Sequence, residues 1–297
     1  MSELESGRRR GPVKAAPAPW SRRRLRAMDG AALLRGAVAA CLAQVRPNAE
    51  AIALGSEDPE HVHQLRVGLR RLRSAVRGLE PFAAGLPPTW DAAVRPVFEA
   101  LGESRDAYVL ATTIVPRLRK AGIDVADVEA SRGDDPAALR RLVAGAPFRR
   151  ALDGLSSFAS AAGEVAGDGG EGLACLVSRV RRLAREVARG ARGFDERPLE
   201  ARHDVRKRLK RLRYLAEFAA PAFDPARVRP WFERVARAQD ALGGDIDLSL
   251  AARRFAALSG SDPEAVRAAA WLRAKASRRS RDARKALERL GEAKAFW

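Results

Sequence analysis

The chain has almost no cysteine. Cys41 and Cys175 are its only two, far apart and outside any CxxC or metal-spaced cluster. A disulfide scaffold and a thiolate zinc site are thereby excluded, and both cysteines, set in apolar helical stretches, are expected to be buried thiols in a reducing compartment. No long apolar run occurs either. The best candidate span, residues 31–45, is interrupted by Arg35, so no membrane helix is predicted. The basic N-terminus carries no signal-peptide core or cleavage pattern, and a cytoplasmic location is expected. Aromatic residues make up 6% of the chain. The five tryptophans are spread out and not interleaved with basic residues, which argues against a base-stacking platform. Alternating strand patterns are missing, as are a G-x-x-x-x-G-K-[ST] loop, the E-x-E-x-K strands of tunnel-type triphosphatases and carboxylates at two-metal spacing. No catalytic residue, metal or cofactor is predicted.

What is present is positive charge. The 297 residues carry 55 Lys and Arg against 37 Asp and Glu, a formal net charge of +18, and the cations are mostly arginine. Such an excess fits a polyanionic partner: nucleic acid, an anionic surface or polymeric phosphate. The plainer alternative is a solvated basic surface, and it predicts uniform scatter. The charges are instead phased. One segment, starting at His63, reads H-Q-L-R-V-G-L-R-R-L-R; another, starting at His203, reads H-D-V-R-K-R-L-K-R-L-R. With the histidines superposed, Arg66 falls on Arg206, Arg70 on Lys210, Arg71 on Arg211 and Arg73 on Arg213, while Leu69 and Leu72 meet Leu209 and Leu212. A second pair of segments, L-G-E-S-R-D at 101–106 and L-G-G-D-I-D at 242–247, places Asp106 on Asp247. These matches predict an internal duplication.

The organisation follows from helical periodicity and punctuation. Residues 1–28, with R-R-R at 8–10 and 22–24, read as a disordered basic tail. Helices are expected over 30–54, 58–79 (Asp58 capping, Pro59 in the first turn), 88–101, 104–120, two pieces within 135–162, then 172–192, 198–219, 225–242, 245–259 and 262–291. The first repeat spans 29–165 and the second 172–297. The Gly-rich segment 163–172 is the linker between them. The fold class is all-α.

On a helical wheel His63, Arg66, Arg70, Arg73 and Arg77 occupy roughly an 80° arc beside the arc of Val62, Leu65, Leu69, Leu72, Val76 and Leu79. His203, Arg206, Lys210 and Arg213 trace the same path, with Lys207 where the first segment has Val67. Each basic stripe thus flanks the core-facing stripe and lines a groove or channel. His63 to Arg77 spans about 21 Å, and guanidinium forks suit the oxygens of a repeating phosphate chain. His61 projects toward the apolar arc and reads as a packing residue; Asp106 and Asp247 read as carboxylates that hold arginines in place. Arg182, Arg185 and Arg189 are secondary candidates on the face opposite Leu176, Val180, Leu183 and Val187.

The doubled H-x-x-R-x-x-x-[RK]-[RK]-x-R helix, the paired L-G-x-x-x-D segments and the closing Phe296-Trp297 resemble the CHAD domain, a conserved-histidine α-helical domain, over residues 29–297. The resemblance implies two pseudo-symmetric four-helix bundles with a basic groove or channel between them. It also implies non-catalytic binding of inorganic polyphosphate and association with polyphosphate granules, in some members fused to triphosphate-hydrolase domains. The implied ligand-facing positions are His63, Arg66, Arg70, Arg73, His203, Arg206, Lys210 and Arg213. A nucleic-acid binder is the alternative, and an enzyme of phosphate metabolism, or a partner of polyphosphate-metabolising enzymes, is a third reading.

Overall fold

The computed structural model describes residues 11–125, 135–161, 170–258 and 262–297. The described residues are helical, with no strand among them. The linker expected at 163–172 lies almost wholly outside them; its last residues are Gly170, at φ 107°, and the start of the next helix. The helices are α1 Arg22–Ala27, α2 Gly30–Ala53, α3 Pro59–Gly78, α4 Trp90–Val109, α5 Val115–Lys120, α6 Pro136–Ala144, α7 Ala146–Ser160, α8 Glu171–Ala191, α9 Leu199–Ala219, α10 Pro225–Leu258 and α11 Pro263–Gly291.

Two compact units result. One comprises the described residues of Met1–Arg105, Asp134–Arg179 and Tyr214–Ala222; the other comprises those of Asp106–Gly133, Val180–Arg213 and Phe223–Trp297. They do not follow the linear division at the linker, because α4, α8 and α9 each give residues to both.

In the first unit α2 packs on α3, α6 and α7. The caps are local chemistry: Asp29 accepts from the Ala32 N–H at 2.6 Å and Asp58 from the Glu60 N–H at 2.8 Å, with Pro59 in the first turn. Leu65, Leu69 and Leu72 of α3 are fully buried. On α2, which packs against this helix, Leu33, Leu34, Val38 and Val45 share that burial and repeat at helical spacing. A Cβ on Gly68 would lie 2.7 Å from the Val45 side chain, so only glycine allows this close approach. Polar groups buried at the same contact satisfy one another. Gln44 donates to the Gln64 side chain at 2.9 Å, and Asn48 donates to the Gln44 carbonyl at 2.7 Å. His61 is buried, with Nδ1 3.1 Å from Asn48 Oδ1, the packing role expected of it. Cys41 is buried and its thiol pKa is pushed up to about 12, chiefly by burial, with Arg71 opposing. Cys175 is half-buried, short of the full burial expected.

Residues 11–28 correct the disordered-tail expectation. Ser21 caps α1, Leu25 is fully buried and Trp20 is 7% exposed, its ring 6.1 Å from that of Phe218. Val13 exchanges two hydrogen bonds with the Asn48 side chain, and Arg22 and Arg26 both donate to the Ala222 carbonyl. Composition made this segment look unable to bury a core, but it needs only three apolar side chains to dock on a core already formed. Residues 1–10 lie outside the described residues.

In the second unit α10 and α11 pair along their length. Ile114, Val115 and Leu118 pack against Leu248 and Phe255 of α10 and Leu272 of α11. The closing Phe296 is fully buried among Phe223, Trp231, Phe232 and Trp297, with ring centroids 4.9–5.9 Å away. Two expected breaks are absent. The helix expected to stop at 101 and restart at 104 runs unbroken from Trp90 to Val109, and a π-helical turn, Leu110–Ile114, carries it into α5. The break expected between 242 and 245 is likewise absent from α10. Gly102 and Gly243 are helix-interior residues, each facing the guanidinium of an arginine on another helix.

Candidate functional site

The first stripe is held by α4. Arg66 donates through Nη1 to the Leu101 carbonyl at 3.1 Å. A Cβ on Gly102 would lie 3.1 Å from that same nitrogen, so the glycine leaves the guanidinium its place. Arg73 forms a two-pronged pair with Asp91, Nε to Oδ1 at 2.7 Å and Nη2 to Oδ2 at 3.1 Å. Asp91 also holds Arg95 at 3.7 Å. Between these anchors the guanidinium carbons of Arg66, Arg70 and Arg73 lie 5.6, 5.4 and 5.3 Å from the centre of the Phe98 ring. Three like charges are gathered around one ring, whose quadrupole offsets part of their repulsion. Asp91, Phe98 and Gly102 sit on one face of α4, at helical spacing. His63 is half-buried beside Arg66, and Arg77 is exposed in the last turn of α3.

The second stripe lies against α10. Arg206 pairs with Asp247 at 3.5 Å, and a Cβ on Gly243 would lie 3.6 Å from its Nη2. Arg213 donates to Gln239 Oε1 at 2.7 Å. Gln239, Gly243 and Asp247 again share one helix face. With the L-G-x-x-x-D segments superposed, Gln239 stands where the first unit has Phe98, so a hydrogen bond replaces the cation–π fan. Asp247 holds an arginine as expected; Asp106 is exposed. Arg206 Nε is buried with no hydrogen-bond partner among the described residues, a donor that costs about 1–3 kcal/mol while unmet. Lys207 is exposed and 3.3 Å from Asp204, and Lys210 is half-buried. His203 is half-buried. Burial first, then the charges of Lys207, Arg206 and Lys210, hold its pKa below the ordinary value, with Asp204 opposing.

The secondary candidates Arg182, Arg185 and Arg189 lie on an exposed face of α8, opposite the buried Leu176, Val180, Leu183 and Val187. Arg182 and Arg208 of α9 both approach Glu186, at 3.8 Å each. Sequence reasoning missed Asp91, Phe98 and Gln239. A signal for them existed in the recurrence of polar or aromatic residues on the glycine-bearing face of each partner helix. It also missed Arg71, which turns away from the stripe to Gln44 at 3.3 Å and Glu217 at 3.4 Å. A buried ion pair joins Arg202 and Asp245; burial raises the Asp245 pKa and Arg202 pulls against it. Among the described residues no three His, Cys, Asp or Glu side chains gather as a metal-ligand set, and no helix is long and apolar enough to cross a membrane.

These features define an all-helical protein whose histidine-led arginine faces are braced by neighbouring helices. The model of the CHAD domain family matches residues 36–256, and the chain belongs to that family. Its fold is similar to that of the crystal structure of the CHAD domain from the plant Ricinus communis. The TM-score is 0.76 at 23% sequence identity, covering 96% of this chain and 98% of that one. A search of curated proteins finds no match.

Proposed function

We propose that this protein binds inorganic polyphosphate without turning it over, through His63, Arg66, Arg70, Arg73 and Arg77 on α3 and His203, Arg206, Lys207, Lys210 and Arg213 on α9. The observation that carries the reading is the fan of Arg66, Arg70 and Arg73 on Phe98. Three guanidinium groups gathered at one ring concentrate positive charge suited to a phosphate polymer, and family membership supports the same ligand. We read the two faces as copies of one ancestral grip, the second with Lys210 as a point charge in place of a fork. Association with polyphosphate granules, and with enzymes that work on the polymer, belongs to the same proposal.

The experiment is a competition. Long-chain polyphosphate is set against single- and double-stranded nucleic acid at matched phosphate concentration and salt, since both ligands release counterions. Preference for polyphosphate is expected; preference for nucleic acid overturns the reading. Phosphate release from the polymer, assayed with and without divalent metal, is expected to stay at background.

A further inference from the structure

A basic cavity lies in the second unit, and none of its lining residues belongs to a stripe. Its volume is about 570 Å³, within the range of small-ligand sites. Arg117 and Lys120 of α5 form one wall. Lys275, Arg278 and Arg279 of α11 form another, at the spacing that puts them on one helix face. Elements more than a hundred residues apart in sequence thus converge five cations on one concavity, against a single carboxylate, Asp282. That carboxylate is only 4.0 Å from Arg279.

Several arginines elsewhere in the unit are matched: Arg202 with Asp245, Arg206 with Asp247, Arg253 with Glu200 and Arg284 with Asp195. Here the fold gathers like charges and leaves them to solvent, an arrangement that an arriving polyanion stabilises. Leu248 and Trp271 give the cavity an apolar side, and the Lys275 ammonium lies 5.1 Å from the Trp271 ring centre. That contact holds the ammonium in place and puts a cation on the ring face. Behind the wall, Leu118, Leu248 and Leu272 are locked in the core, so the helices that carry the cations are fixed.

We propose that this cavity binds a compact phosphate cluster of three or more linked groups, independently of the stripes. The ligand is either a short inorganic polyphosphate or the phosphate chain of a nucleotide. Size separates this site from the stripe, which suits a long extended polymer. The inference does not rest on the stripe reading, because none of its residues belongs to a stripe.

The test is calorimetric titration of the full chain with inorganic tripolyphosphate. The parent is expected to bind. Lys275→Gln with Arg278→Gln, both exposed positions, is expected to weaken binding about tenfold or more, and Lys120→Gln on the opposite wall is expected to weaken it too. Unaltered circular dichroism of each variant shows that the fold is kept. Arg149→Gln with Arg150→Gln, exposed on α7 and outside both the cavity and the stripes, is expected to leave tripolyphosphate binding in place. Parent-like binding by the cavity variants, or none by the parent, overturns the proposal. ATP run in parallel separates the sources: equal affinity means that the phosphates alone are read, and tighter ATP means that the base is taken up on the Trp271 side. Long-chain polyphosphate titrated into the cavity variants is expected to keep binding through the stripes; its loss there, with tripolyphosphate binding by the parent intact, overturns the stripe reading and not this one.

Discussion

The Arg66 guanidinium packs tightly on Gly102, its Nη1 3.1 Å from where a Cβ would stand, while donating to the Leu101 carbonyl. The corresponding distance from Gly243 to Arg206 is 3.6 Å, an ordinary contact. Two substitutions of the same kind therefore have different outcomes. Gly243→Ala gains helix propensity and stabilises by about 0.5–1 kcal/mol, with polyphosphate affinity unchanged. Gly102→Ala gains similar propensity but displaces Arg66, so its affinity falls several-fold while its melting temperature does not. Thermal melts and binding isotherms of both variants check the split.

Reversing charge on the first stripe is expected to abolish most binding without unfolding. Arg66→Glu with Arg70→Glu leaves the buried leucine face of α3 untouched and removes two charge-assisted contacts, about a hundredfold in affinity. Phe98→Leu keeps every charge and removes the ring that gathers them. It is expected to weaken binding several-fold while the salt dependence, which counts ionic contacts, stays as in the parent. Helical circular dichroism, and isotherms over a salt series, separate the two effects.

The N-terminal segment is expected to contribute to stability. Leu25 and Trp20 are buried against the first unit, and large-to-small changes at such positions cost about 2–5 kcal/mol. Leu25→Ala and Trp20→Ala should each lower the melting temperature clearly, as should truncation to residue 29. A truncated chain that melts like the parent would contradict the docking.

Binding should take up protons at His203. Its pKa in the free protein is held below the ordinary value of about 6.5 by burial and by Lys207, Arg206 and Lys210. A bound polyanion reverses the sign of the local field and raises it. The bound state then holds more protons, so affinity climbs as pH falls through the interval between the bound and free pKa values and levels off below the free value. Stability of the unliganded chain runs the other way. The contribution is complete above the unfolded pKa and declines as pH drops toward the folded one, because the unfolded chain takes up the proton first. His203→Gln should flatten both slopes relative to the parent, measured as affinity and as melting temperature across mildly acidic pH.

Local information sufficed for much of this molecule. The cap at Asp58, the phase of Leu65, Leu69 and Leu72, and the position of the basic arc beside them depend on neighbours within a turn or two. Such contacts are written directly into the order of residues. The helix-interior role of Gly102 and Gly243 was not legible, because glycine breaks a helix or serves a close approach according to what stands opposite. That something is a guanidinium some 35 residues away. The same holds for Arg70 and Arg71, adjacent in the chain: one reaches the Phe98 ring and the other is buried against Gln44 and Glu217. Sequence alone determined the helices, the stripe and the excess of charge. Tertiary structure decided which carboxylate, ring or carbonyl each arginine meets and which cations share the cavity of α5 and α11, because those partners depend on helix-to-helix register and not on spacing along one helix.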